Sequence, residues 1–371
     1  MFVVPHLGRG GAERHVATLL PAMDPSRFAP SVVALAHGGL RFDDLQRAGG
    51  RAVALHRKSR EVLGTLRDLV RLVRRERPDV IVTRGFNAEA LGGLAAVLTR
   101  TPRLVVWVHN CGDLGGRPRH RRLVDRLLAR VVSAVYGVAH GQVPYITEDL
   151  GYPAEKVRVV QNGADLSDRV GDDERDEDVA REFGIAPDEP IVGITAVLRT
   201  EKDHPNLLRA MRIVLAEQPR ARLLVIGDGP ERTAIEKLAA ELGLADRTVF
   251  TGYRDDVPRL LRGLDVFTLS SRIVECFPMA LLESMAAARP SVCTAVGGIP
   301  EMIDDGRTGH VVPKEDPEAL AEGLLRVLRD PAAARAMGRA ARERLEHEFS
   351  LERSIREAEA ALEETAGRVP A

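Results

Sequence analysis

Ile191-Val192-Gly193-Ile194-Thr195-Ala196-Val197-Leu198-Arg199-Thr200-Glu201-Lys202-Asp203-His204-Pro205 is the stretch that decides the fold class. The apolar run from Ile191 to Val197 fits a strand covered on both faces, as strands of parallel sheets are. At Arg199 the composition turns polar, and a helical segment follows. The same unit recurs outward in both directions. Downstream the strand-like runs are Arg222 to Ile226, Thr248 to Thr251, Val266 to Leu269, Ser291 to Thr294 and His310 to Val312. Upstream they are Phe2 to Pro5, Ser31 to Leu35, Ala52 to Leu55, Val80 to Thr83 and Leu104 to Val108, with a Gly-rich turn and a helix from about Ala12 to Leu20 after the first. Between them, Val62, Leu63, Leu66, Leu69, Val70 and Val73 repeat at helical spacing with arginines on the other side. Parallel strands need helical crossovers, so the expected class is α/β with doubly wound parallel sheets.

The pattern pauses once. Asp165 to Ala180, with the acidic run Asp172 to Asp178, reads as a linker, and 371 residues are enough for two domains with separate cores. The expected domains are 1–165 and 166–350, both Rossmann-like. A final helix from about Leu351 to Glu364 has no strand after it, and residues 351–371 are expected to pack back on the first domain. Two such domains facing a central cleft would hold ligands at the carboxyl ends of their strands.

Composition removes several classes. With 44% hydrophobic and 29% charged residues and a net charge of −1, the chain is not disordered, collagen-like or a coiled coil. No run of 18 apolar residues occurs, and the stretch Val131 to Thr147, free of charge, carries Ser133, His140, Gln142 and Pro144, a poor bilayer span. No charged region precedes an apolar one at the start, so no signal peptide is expected. Cys111, Cys276 and Cys293 cannot all pair and fit no zinc spacing. The reading is a soluble, reduced, cytoplasmic protein. Its charge is unevenly spread: residues 1–165 hold 25 Lys and Arg against 15 Asp and Glu, and residues 166–371 hold 28 against 39. Arg71, Arg74, Arg75 and Arg77, and Arg117, Arg119, Arg121, Arg122, Arg126 and Arg130, concentrate the excess. Such runs are solvated helix faces or a peripheral contact with an anionic membrane. Nucleic acid is disfavoured, because aromatics are 4% of the chain and no binding motif accompanies the arginines.

Four loop clusters follow strand-like runs. Gly8-Arg9-Gly10-Gly11-Ala12-Glu13-Arg14 lets backbone amides approach a ligand at a helix start, without the G-x-G-x-x-G spacing of dinucleotide sites. Arg199 and Lys202 stand three apart, a fork and a point charge that together neutralise a diphosphate. Gly227-Asp228-Gly229-Pro230-Glu231 is by itself a strand-to-helix turn. Glu275-Cys276-Phe277-Pro278-Met279-Ala280-Leu281-Leu282-Glu283 places Glu275 in a loop, Pro278 at a helix start and Glu283 inside that helix, so that free amides and two carboxylates suit phosphate and sugar hydroxyls. Paired carboxylates also serve glycosidases, but hydrolysis has no use for diphosphate-binding cations.

Together these residues resemble the retaining glycosyltransferases of family 4, with the GT-B fold, over essentially the whole chain. The likeness also rests on Val108-His109-Asn110, Gln161 to Asp165, Gly252 to Val257 and Gly297-Gly298-Ile299-Pro300-Glu301, in family order. The resemblance implies a transferase that moves a hexosyl group from a UDP- or GDP-sugar to a hydroxyl of a glycan, glycolipid or small molecule, with no cofactor and no metal. It implies that Arg199 and Lys202 bind the donor diphosphate and stabilise the leaving nucleotide. Glu283 would hold the ribose and Glu275 the donor sugar, with the amides of Phe277, Pro278, Met279 and Ala280 beside sugar or phosphate. Tyr253 and Arg254 fall where the family's backbone reads the base, Gly227 and Gly229 lie in the donor-side turn, and Gly10, Gly11 and His109 are where the first domain meets diphosphate and sugar. Two departures stand out. Cys276 occupies a position that is commonly Gly, and Met1 lies almost inside the first strand, so a few native residues are expected to be missing there. A sugar-nucleotide epimerase and a non-catalytic nucleotide-sugar binder are the competing readings.

Overall fold

The computed structural model describes residues 1–8, 10–58, 60–113, 116–165 and 175–367. By contact the chain divides into two units, Met1–Gly163 with Leu351–Ala371, and Ala164–Ser350. The first unit runs β1 (Phe2–Val4), α1 (Gly11–Ala22), β2 (Ser31–Ala34), α2 (Leu40–Arg47), β3 (Arg51–Ala54), α3 (Val62–Glu76), β4 (Val80–Thr83), α4 (Phe86–Thr99), β5 (Arg103–Trp107), α5 (Arg119–Val131), β6 (Ala134–Gly137) and β7 (Val157–Val159). The second contains α6 (Glu177–Glu182), β8 (Ile191–Thr195), α7 (His204–Glu217), β9 (Arg222–Ile226), α8 (Arg232–Glu241), β10 (Thr248–Gly252), α9 (Val257–Arg262), β11 (Val266–Leu269), α10 (Met279–Ala286), β12 (Ser291–Thr294), α11 (Ile299–Met302), β13 (Gly309–Val312), α12 (Pro317–Arg329) and α13 (Pro331–Glu348). Helix α14 (Leu351–Ala366) then belongs to the first unit again.

Each unit is one parallel sheet with helical crossovers. The strand orders are β3-β2-β1-β4-β5-β6-β7 and β10-β9-β8-β11-β12-β13. Setting aside the extra edge strand β7, both have the Rossmann order. Chain order reverses where β1 pairs with β4 and where β8 pairs with β11. Loops leaving the carboxyl ends of those two pairs run to opposite sides, which opens a crevice there. The strands are apolar because both faces are covered: Ile191, Val192 and Ile194 of β8 and Val3, Ile81, Val105 and Val135 of the first sheet are fully buried.

Helix α14 is held to the first unit by polar contacts as well as by buried Ala358 and Leu362. The Tyr136 hydroxyl donates to the Ala361 carbonyl at 2.7 Å, and Arg27 pairs with Glu359 at 3.1 Å and Glu363 at 2.6 Å.

The structure departs from the sequence reading in three places. Strands β6 and β7 were not expected: β6 sits in the stretch weighed as a bilayer span, and β7 is an edge strand of three residues with Arg158 at its centre. The linker expected through Ala180 is helical from Glu177. Residues 166–174 lie outside the described residues, but Val179 is fully buried, and a Cβ on Gly263 would collide with it, so this acidic segment does have an apolar anchor. Asp176 caps α6 by accepting from the Asp178 amide at 3.1 Å and faces Arg262 at 3.6 Å, so part of its charge is used locally. Finally, Val62 and Leu63, expected on the inner stripe of α3, are exposed at its first turn, while Leu69 and Val73 are buried. Among the described residues no helix is long and apolar enough to cross a membrane.

Candidate active site

In the second unit the crevice between β8 and β11 gathers the charged residues. After β8 the chain passes Arg199 and makes a short 3-10 turn over Thr200–Lys202. It then turns at Asp203, whose left-handed φ of 47° starts α7. Asp203 accepts from the Asn206 amide at 3.3 Å, a cap that fixes the preceding turn. After β11 the loop Ser270–Pro278 crosses to the same place. The Ser270 hydroxyl donates to the Lys202 carbonyl at 2.9 Å, and the Arg272 amide donates to the Glu201 carbonyl at 3.1 Å, so the two loops are stitched together.

Lys202 and Glu275 meet at this seam. The ammonium donates to Glu275 Oε1, which also accepts from the Ser271 hydroxyl at 2.8 Å. Glu275 is 6% exposed, so without these donors its charge would be poorly solvated. Val274, just before it, has φ of 79°. A β-branched residue in the left-handed region is strained by roughly 1–3 kcal/mol, and such strain persists only where neighbouring contacts overdetermine it. Arg199 is more open: its guanidinium is 61% exposed and lies 3.9 Å from Glu201.

Pro278 occupies the cap position of α10, whose first amides, those of Met279 and Ala280, are free of intrahelical partners by position, and Glu283 lies one turn further along. Phe277 is buried and packs edge-on against Phe349 at 5.3 Å. Gly227 and Gly229 have a reason of their own. Gly227 has φ of 138°, and a Cβ there would collide with the Ala196 carbonyl oxygen, as one on Gly229 would with that of Leu198. The Leu198 amide donates to the Asp228 carbonyl at 3.0 Å, so these glycines let the turn after β9 lie against the end of β8. Tyr253 is 49% exposed just beyond β10. Arg254 is engaged by Asp256 in two bonds of 2.8 Å and by Glu182 at 2.8 Å, which raises the guanidinium and lowers Asp256, while Arg259 and then Arg254 lower Glu182.

The first unit's crevice is of another kind. Gly10 caps α1, and Gly11 is that helix's first residue. His109 follows β5. Its Nδ1 lies 3.3 Å from the Trp107 carbonyl and so carries the proton, leaving Nε2 as an acceptor with no partner. Burial, reinforced by Arg84 and His15, holds it well below the usual histidine range, and the ring is neutral. His15 of α1 stacks edge-on against Trp107 at 5.4 Å and lies 5.5 Å from His109. Both its nitrogens lack partners, and burial brings it down to about 3. Arg84, at the end of β4, is buried with Nη1 unpartnered and Glu13 4.0 Å away, and burial pulls it down to about 10.

The structure thus brings Lys202 and Glu275 into contact and stitches their loops. It groups His109 with two residues the sequence reading passed over, His15 and Arg84. Arg84 had a signal: a lone cation directly after the apolar run Val80 to Thr83, as Arg199 is after β8. His15 had none, being one more position on the inner face of α1. Among the described residues, no group of three or more His, Cys, Asp or Glu side chains is arranged to hold a metal ion.

Two family models match the chain, Glycosyltransferase Family 4 over residues 9–168 and Glycosyl transferases group 1 over residues 175–344. The chain is 32% identical over 242 residues to N-acetyl-alpha-D-glucosaminyl L-malate synthase of Bacillus anthracis, a match covering 65% of this chain and 62% of that protein. It is 26% identical over 348 residues, 94% of each chain, to the lipopolysaccharide core biosynthesis glycosyltransferase LpsE of Rhizobium meliloti. In structure it resembles HepE of Anabaena in complex with UDP-glucose, with a TM-score of 0.87 at 20% identity over 98% of this chain and 100% of that one. The fold is GT-B, and the chain belongs to glycosyltransferase family 4.

Proposed function

We propose that this protein is a retaining glycosyltransferase that moves a hexosyl group from a UDP- or GDP-sugar to a hydroxyl acceptor on a glycan, a glycolipid or a small molecule. The observation that carries the reading is the Lys202–Glu275 contact at the carboxyl ends of β8 and β11, with Ser271 fixing the carboxylate. An ammonium held by one carboxylate is positioned before a diphosphate arrives, and it exchanges that partner for phosphate oxygens without crossing solvent. Arg199, exposed beside it, supplies the second cation. As the bond to the anomeric carbon breaks, negative charge grows on the departing diphosphate. Lys202, Arg199 and the free amides at the start of α10 meet that charge with dipoles already oriented. In this reading Glu275 accepts from donor-sugar hydroxyls and Glu283 from the ribose. The backbone at Tyr253 and Arg254 contacts the base, and the amides of Gly10 and Gly11 approach the diphosphate. His109 Nε2 is an acceptor for a sugar hydroxyl, and its low basicity keeps it from acting as a cation. The reaction so described needs no metal, since the two cations take that role.

Support for the donor class comes from the HepE structures, which were solved with UDP and with UDP-glucose. One relative is named for making N-acetyl-alpha-D-glucosaminyl L-malate and another for lipopolysaccharide core biosynthesis, so a small molecule and a glycan are both reasonable acceptors to try. The test pairs binding with turnover. UDP, GDP and their sugars are screened by thermal shift, where a ligand at about 100 times its Kd adds about 2.7 kcal/mol. Hydrolysis of the stabilising donor is then followed in wild type, Lys202→Ala and Glu283→Ala. Each variant is expected to lose several hundredfold, about 3–4 kcal/mol, when assayed at a temperature below its own circular-dichroism melt. Unchanged turnover in both would remove the site, and an isomerised donor appearing without acceptor would make the protein an epimerase.

A further inference from the structure

Helix α4 packs on β4 and β5 and against α5, and the residues it turns inward, Ala88, Gly92, Gly93, Ala95 and Ala96, are small and buried. Its outward face is apolar too. Leu94, Val97 and Leu98 of α4 and Leu123, Leu127 and Val131 of α5 are each 45–57% exposed. Exposed leucines occur singly on any soluble domain, whereas six on two adjacent helices form a patch of the kind that marks an interaction surface. On α5 they stand four apart, and Arg122, Arg126 and Arg130, all exposed, precede them by one residue each, with Arg119 a turn earlier. The only acids of the two helices, Glu89 and Asp125, are buried, Asp125 beneath Arg117 at 2.7 Å. The outer face therefore carries apolar side chains and cations and no carboxylate. A helix that merely covers a core shows the reverse, with its apolar stripe inside and mixed charge outside.

We propose that this α4–α5 face is the surface by which the first unit adsorbs to an anionic phospholipid bilayer. Leucine and valine side chains enter the boundary between headgroups and acyl chains. The arginines beside them extend their guanidinium groups to lipid phosphates. Charge complementarity selects this occupant. A second copy joined symmetrically through the same face would set the α5 arginines against their own equivalents, and a nucleic acid backbone has no use for the leucines. The surface is independent of the donor site, and its test needs no sugar nucleotide.

Full-length protein is co-sedimented with phosphatidylcholine vesicles, with and without phosphatidylglycerol, at low and high salt. Binding is expected only with phosphatidylglycerol, and weaker in salt. Arg122→Gln/Arg126→Gln/Arg130→Gln should lower partitioning about a hundredfold, from about fivefold per charge. Leu123→Gln/Leu127→Gln should lower it about tenfold on the same vesicles, an effect that adsorption by charge alone does not produce. All five positions are exposed, and an unchanged circular-dichroism melt confirms that the variants fold. No binding at low salt, equal binding to neutral vesicles, or binding unchanged in either variant overturns the proposal. So does a dimer in light scattering that Leu123→Gln/Leu127→Gln dissolves while vesicles remain unbound.

Discussion

Two crevices with the same strand order hold opposite electrostatic arrangements. Between β8 and β11 the charges are matched: Lys202 meets Glu275, Ser271 completes the carboxylate, and Arg254 is pinned by Asp256 and Glu182. Around β1, β4 and β5 the polar groups are stranded: His15, His109 and Arg84 each keep at least one nitrogen without a partner, and burial suppresses the charge on both imidazoles. Among the described residues of the second unit, His204, Asn206 and Arg344 also keep a nitrogen without a partner, and burial, with Lys202 nearby, brings His204 down to about 4. The topology therefore dictates where a ligand sits, and the loop residues dictate whether the site waits as a closed ion pair or as unfilled hydrogen-bonding capacity. The matched crevice suits a ligand that exchanges one anion for another. The stranded one suits uncharged hydroxyls, which can satisfy neutral nitrogens without paying for desolvated charge.

The contrast is broken most directly by removing one partner of the pair. Lys202→Ala leaves Glu275 buried and unopposed, and the second unit is expected to lose about 3–5 kcal/mol in denaturant titration. Lys202→Met with Glu275→Gln, which removes both charges, should restore most of it. If the double variant is no more stable than the single one, the two residues are not coupled. The first unit's titration supplies the next effect. Burial raises Glu89 to about 7, against a usual value of 4.5. The folded state holds that proton where the unfolded state releases it, so stability is fully present below about pH 4.5 and declines as pH rises through 7. Between pH 5 and pH 8 the decline should be about 2–3 kcal/mol, and Glu89→Gln should flatten it; a slope unchanged in that variant assigns it to another group.

His15 has the opposite sign. Its folded value near 3 lies below the unfolded 6.5, so the unfolded chain takes the proton and stability falls as pH drops from 6.5 toward 3. His15→Leu removes two unsatisfied nitrogens, and we expect a gain of about 1 kcal/mol at pH 7 and more at pH 5. Destabilisation at both pH values would mean the imidazole has a partner after all.

Much of this was legible from residue order alone. Buried parallel strands announce themselves as short apolar runs, and the runs from Val80, Arg222, Val266 and Ser291 coincide with β4, β9, β11 and β12. β7, an edge strand built on Val157-Arg158-Val159, gives no such run. The loop cations and carboxylates were visible as well, as charged residues placed directly after apolar runs. What order cannot reveal is adjacency. Lys202 and Glu275 are 73 residues apart and meet because β11, rather than β9, lies on the far side of β8 from β10. The buried state of His15 and Arg84 depends likewise on what packs above them. Gly227 reads from order alone as part of a strand-to-helix turn, and only the packing shows that its missing side chain makes room for the Ala196 carbonyl.

The return of α14 to the first unit sets an order of assembly. The second unit is one contiguous segment, Ala164–Ser350, whereas the first needs residues from both of its flanks. As the ribosome extrudes the polypeptide, the middle segment can reach its native state while the earlier one still lacks the helix that accepts from Tyr136 and pairs with Arg27. Maturation thus runs inside out, against the usual N-to-C vectorial sequence. Until that late helix emerges, Tyr136 and Arg27 wait without these partners, and the earlier segment is the one for chaperones to guard.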